Sequence, residues 1–170
     1  MKAQVYWTTE KYPGQIAIVA RPRGDDWLED EATAWAAAGL DVIVSLLEED
    51  EAADLGLSRE DTVCLDNGLL FFSCPVVDRS VPTARQQIFP LLNQLQSLLK
   101  EGKNIGIHCR QSVGRSSLLA ASLMTLFGMN PDVAFQRLSL ARGLPVPETN
   151  KQREWVERFA EALQPLVAIS

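Results

Sequence analysis

The chain has 170 residues, 46% of them hydrophobic and 22% charged, and a net charge of −6 at pH 7. Length and balance suit one soluble globular domain, 1–170, with a core of its own, and the acidic surface argues against nucleic acid or an anionic membrane as partner. No apolar run approaches the roughly 18 residues that span a bilayer, and Met1 to Trp7 lacks the apolar segment of a secretion signal, so a cytoplasmic protein is expected. Three irregularly spaced cysteines do not make a disulfide framework, and Cys64 and Cys74 read as buried small side chains. Whether either could form a reversible disulfide with Cys109 is left open.

Short apolar runs alternate with helical patterns, as in an α/β domain with a central, mostly parallel twisted sheet flanked by helices. Gln15 to Ala20 reads as a strand after the Pro13-Gly14 turn. Asp25 or Asp26 is expected to cap a helix running to about Ala38 and stopped by Gly39. Asp41 to Leu46 is a β-branched strand, and an acidic helical stretch from Glu48 to Asn67 follows, broken near Gly56 and restarted with Ser58 as cap. Its run Glu48 to Glu51 reads as a solvated helix start. Leu69 to Cys74 is the next strand, closed by Pro75.

From Pro82 or Thr83 to Lys100 apolar residues recur with helical period, and Pro90 inside the run calls for a kink or a later start. Ile105 to His108 is a strand, Arg115 to Phe127 an apolar helix, and Pro131 opens a helix ending near Arg142-Gly143. Glu148 or Thr149 opens the last helix, whose Val156, Phe159, Ala160 and Leu163 share a face. The four tryptophans, Trp7, Trp27, Trp35 and Trp155, are expected to pack in the core.

Chemistry concentrates between His108 and Ser117. A buried strand ends on Cys109, five residues separate it from Arg115, and a helix begins there. The first N–H groups of a helix lack intrahelical partners and carry the positive end of its dipole, so the loop is an anion site that favours the thiolate of Cys109. The backbone of Arg110, Gln111, Ser112, Val113, Gly114 and Arg115 can converge on a phosphoryl group, and the planar fork of Arg115 matches two of its oxygens. Arg110 adds positive potential at the rim or is simply exposed. Ser116 can donate a hydrogen bond to the sulfur, which makes it a better leaving group. The pattern suggests attack by sulfur on phosphorus.

Breaking a phosphate ester also needs a proton for the departing oxygen. Asp78, in the proline-bracketed segment Pro75 to Pro82, leaves the carboxyl end of a strand, where α/β sheets place their sites. His108 is the chain's only histidine, which leaves a metal site or a catalytic triad without partners.

The string His108-Cys109-x5-Arg115-Ser116, joined to Asp78-Arg79-Ser80-Val81-Pro82, resembles the cysteine-dependent protein tyrosine phosphatase superfamily, and within it the small dual-specificity-like members of bacteria and archaea. Val146-Pro147-Glu148-Thr149 and Gln152 to Val156 look like the family's late glutamine-containing segment, so the resemblance runs from about Tyr12 to Leu163. It implies the fold of that superfamily and a two-step reaction without metal or cofactor. Cys109 takes the phosphoryl group while Asp78 protonates the leaving oxygen, and Asp78 then serves as base toward water. Gln152 would position that water; the alternative is a solvated helix residue. His108 would order the loop from behind; otherwise it is a core histidine bonded to backbone.

The implied partner is a phosphorylated protein met by a monomer, with phosphoserine and phosphothreonine accepted beside phosphotyrosine. One position departs from the pattern: related loops carry glycine where this one has Ser112, and at positive φ a serine costs about 1 kcal/mol. Three rival readings remain: a phosphate-reading module without turnover, a rhodanese-like sulfur carrier, and a phosphatase of an RNA 5′ end or a metabolite.

Overall fold

The computed structural model describes residues 1–83 and 85–169, apart from the side chains of Arg85 and residues 164–169. Five strands form one sheet: β1 (Val5–Trp7), β2 (Ile16–Val19), β3 (Val42–Ser45), β4 (Leu70–Ser73) and β5 (Ile105–His108). Their order is β1-β2-β5-β3-β4, with β1 antiparallel to β2 and every other pair parallel.

Alternation along the strands divides the core in two. Ile16, Ile18, Val42, Val44, Ile105 and Ile107 face one side, while Ala17, Val19 and Ile43 face the other. The first side is covered by α4 (Arg85–Lys100), α5 (Arg115–Leu126), α6 (Pro131–Arg142) and α7 (Asn150–Ile169). The second is covered by α1 (Leu28–Ala37) and α3 (Glu60–Asp66), with the short α2 (Glu49–Asp54) at its margin. This is the expected α/β architecture, and α5, buried from Arg115 to Thr125, runs through the middle of its thicker layer.

Four local expectations need correction. β1 was not foreseen; it is three half-buried residues on a sheet edge, too short to announce itself by alternation. Asp25 and Asp26 do not cap α1 but form a 3-10 turn, in which Asp25 takes φ 52° and its amide donates to the Gly56 carbonyl at 2.9 Å. Ser58 does not cap α3 either; Arg59 stands at that position and no side chain caps it. Trp27 is half-exposed beneath the Arg23 guanidinium, 4.2 Å from its ring centre, whereas Trp35 is fully buried.

α4 runs from Arg85 and carries Pro90 inside it, in its second turn, so the helix does not avoid the proline by starting beyond it. The carbonyl that loses its amide partner there belongs to Gln86, on an exposed turn where water can serve it. Among the described residues no helix is long and apolar enough to cross a membrane.

Candidate active site

β5 delivers Cys109 to the carboxyl edge of the sheet, and the loop from Cys109 to Gly114 turns directly into α5 at Arg115. Residue parity decides what faces what. Ile105, Ile107 and Cys109 belong to the thicker layer, so His108 points to the opposite side, where its ring stacks on Trp35 at 6.1 Å between centres.

The loop's shape is fixed from outside. Arg142, at the end of α6, donates from Nε to the Ser112 carbonyl at 3.0 Å and from Nη2 to the Gln111 carbonyl at 3.3 Å. Arg21, just beyond β2, donates to the Arg110 carbonyl at 3.4 Å. In a planar trans peptide the following N–H points opposite to the carbonyl, so the amides of residues 111, 112 and 113 turn toward the inside of the loop. Arg142 is itself steadied over the Tyr6 ring, 4.4 Å from its centre.

Ser112 does adopt the left-handed backbone, with φ 56°, so its departure from glycine carries the expected strain. The side chain answers it: Ser112 is buried, and its Oγ donates to the Val19 carbonyl at 2.6 Å, tying the loop to the end of β2. The residue that threatened the loop anchors it.

Arg115 is buried and held along one edge. Its Nη1 and Nη2 pair with both oxygens of Glu51, at 2.7 and 2.9 Å, and Nη1 also donates to the Val76 carbonyl at 2.8 Å. Nη2 reaches Asp78 Oδ1 at 3.0 Å, while the buried Nε has no hydrogen-bond partner among the described residues. Glu51 thus takes the outer edge of the fork and leaves the Nε–Nη2 edge for an anion. Burial works to lower Arg115, but the hydrogen bonds it donates to Glu51 and the charges of Cys109, Glu51 and Asp78 outweigh it and raise it. Burial likewise works to raise Glu51, but hydrogen bonds from Arg115 and the Glu48 amide, with the charges of Arg115 and Arg110, hold it below the usual carboxylate range.

The structure brings the expected groups together. Cys109 Sγ lies 3.5 Å from Ser116 Oγ, and both residues are buried. Asp78 leans over the site from the segment after β4, half-exposed and joined to Arg115. Gln111 is exposed, Val113 is partly buried, and Arg110 extends at the rim, 3.9 Å from Glu51. Gln152 is fully buried rather than solvated: its Oε1 accepts from the Glu148 and Thr149 amides and its Nε2 donates to the Ser80 carbonyl, all at 3.1 Å.

Three groups escaped sequence reasoning. Glu51 sat in an acidic run that read as solvated; its capping bond, Glu48 N–H to Glu51 at 2.9 Å, was the available signal. Glu60 from α3 reaches His108 Nε2 at 2.5 Å in the core, while His108 Nδ1 faces the Cys109 carbonyl at 3.3 Å. The histidine is therefore braced between a carboxyl group and the backbone of Cys109. Arg142 is the third, a C-terminal helix arginine whose target lies far off in sequence.

Cys64 lies in the layer opposite Cys109. Burial pushes the thiols of Cys64 and Cys74 up.

The family described as Tc-R-P, polymorphic toxin system, DSP-PTPase phosphatase, matches residues 18–128. No curated protein matches the chain in sequence. Among solved structures, kinase associated phosphatase with its catalytic-site cysteine replaced by serine is similar at TM-score 0.82, with 17% identity over 96% of this chain and 97% of that one. Tk-PTP in its active form is 24% identical at TM-score 0.72, over 88% and 94% of the two chains. PTPMT1 in complex with PI(5)P is 15% identical at TM-score 0.76, over 93% and 97%.

Proposed function

Since the chain belongs to the DSP-PTPase phosphatases and is a small dual-specificity-like member of the cysteine-dependent protein tyrosine phosphatase superfamily, we propose that it dephosphorylates proteins through a cysteinyl-phosphate on Cys109. The observation that carries this reading is the buried Nε of Arg115, without a partner among the described residues, together with the inward-turned amides of the loop that begins at Cys109.

A phosphoryl dianion entering the loop meets the Nε–Nη2 edge of Arg115 and displaces Asp78 from Nη2, and the freed Asp78 takes from solvent the proton that it donates. Cys109 sulfur attacks phosphorus, the ester P–O bond breaks, and Asp78 gives its proton to the departing oxygen. Water then attacks the phosphocysteine and gives a proton to Asp78. The P–S bond breaks, inorganic phosphate leaves, and the Ser116 hydroxyl receives the returning thiolate. Arg115 and the loop amides stabilise the phosphoryl charge throughout, and the scheme needs no metal or cofactor.

Asp78 is half-exposed, so the scissile oxygen sits near the surface. That depth suits phosphoserine and phosphothreonine as well as phosphotyrosine. The loop cations are arginines alone, which favours protein phosphoesters over inositol lipids. We place the activity in the cytoplasm and in a single chain. The test is phosphate release from a panel of phosphotyrosine, phosphoserine and phosphothreonine peptides, with phosphoinositide vesicles and an RNA 5′-phosphate beside them. Release from the peptides, abolished in Cys109→Ser, is expected; release only from the vesicles or the RNA would overturn the protein assignment.

A further inference from the structure

Between β4 and α4 the segment carrying Asp78 has no helix or strand among its described residues, so contacts from elsewhere hold the acid over the site. Two grips come from the turn that opens α7. Arg79, in the left-handed region at φ 60°, pairs with Glu148, and the Ser80 carbonyl accepts from Gln152 Nε2 at 3.1 Å. They flank Asp78 on its C-terminal side.

Gln152 also meets the phosphate loop. A Cβ added at Gly114 would come within 2.8 Å of both Nε2 and Oε1 of Gln152, so a larger residue there would displace this amide. One buried amide therefore touches the acid segment, the α7 turn and the last residue before Arg115. An attacking water is oriented by an acceptor that draws on one of its hydrogens. Gln152 Oε1, the atom suited to that task, already accepts from two backbone amides.

Resting on the phosphatase reading above, we propose that Gln152 and Glu148 are positioning residues. They clamp the Asp78 segment against the phosphate loop and so act through Asp78, already in the proton-donating first step, instead of orienting the water of the second. The two roles separate kinetically, because kcat/KM ends with phosphocysteine formation, whereas the water acts only afterwards.

The experiment measures kcat/KM and the pre-steady-state burst for aryl phosphates of graded leaving-group pKa, in wild type, Gln152→Ala and Arg79→Ala. Loosening the acid should lower kcat/KM for the poorest leaving groups by about tenfold or more, part of what a general acid supplies, while kcat/KM for the best leaving groups is nearly unaffected. Arg79→Ala breaks only an exposed pair and should tilt the series the same way, which keeps the test decisive if Gln152→Ala does not fold. A burst of leaving group with kcat/KM intact, or a loss uniform across the series, would overturn the clamp while leaving the phosphatase reading in place. A wild type that releases no phosphate would overturn both.

Discussion

Arg115 keeps one edge on Glu51 and offers the other. Glu51→Gln should therefore do two things: cost stability, by about 1.5 kcal/mol as for lost charge-assisted hydrogen bonds in a partly buried pair, and weaken vanadate binding as the guanidinium loses its bearing. Denaturant unfolding and vanadate titration read these separately. The pH dependence has a definite sign. Because the folded Glu51 carboxyl is held low, its contribution is complete above the unfolded value of about 4.3 and disappears as pH falls through the folded one. The stability gap between wild type and Glu51→Gln should be flat above that pH and close below it.

Ser112 makes a second residue-scale case. Ser112→Gly relieves the left-handed strain but gives up the bond to Val19, so the two effects nearly cancel. Ser112→Ala keeps the strain and loses the bond, and should be less stable than Ser112→Gly by about 1–2 kcal/mol in denaturant melts. The sequence raised the right question here, since serine in place of glycine is visible. Its answer is not, because the acceptor, Val19, is a backbone oxygen brought near only by the β2–β5 pairing.

At the scale of elements, strand order decides what the cysteines can do. Cys74 and Cys109 each follow a strand residue paired with Ser45, Ser73 on one side and His108 on the other. Two strand spacings, about 10 Å in all, separate their backbones, beyond the roughly 7 Å that a disulfide tolerates. Oxidation of the folded protein should give a modified Cys109 and no Cys74–Cys109 link by peptide mapping. A link formed without unfolding would contradict this register.

Elements with a continuous or periodic signal were legible: β2 to β5, the apolar α5, and α6 between Pro131 and Gly143. β1 and the starts of α1 and α3 were not, because a short edge strand and an uncapped helix start depend on neighbours such as the Gly56 carbonyl that takes the Asp25 amide. Cys109, Arg115 and Asp78 stood out in the sequence by their spacing, and the structure brings them together. Glu51, Glu60 and Arg142 did not stand out, since each acts through a contact between segments far apart in sequence.

Across the whole molecule, the site gathers pieces from the ends of β2, β4 and β5, from the α2 N-terminal turn and from the turn between α6 and α7. A chain of net charge −6 thereby presents Arg21, Arg110, Arg115 and Arg142 around one loop. Oxyanion binding should stabilise the entire domain. At a hundredfold excess over its Kd, vanadate or tungstate should add about 2.7 kcal/mol, retained in Cys109→Ser and lost in Arg115→Ala.

The proposed covalent step can be caught directly. Wild-type protein is mixed with a phosphopeptide labelled in its phosphate, quenched in acid within milliseconds, and the peptide containing Cys109 is weighed and counted. One labelled phosphate on Cys109, formed and consumed at the rate of turnover and absent from an inactive Cys109→Ser, is the predicted result. Turnover with no label on Cys109, or undiminished turnover in Cys109→Ser, would contradict it.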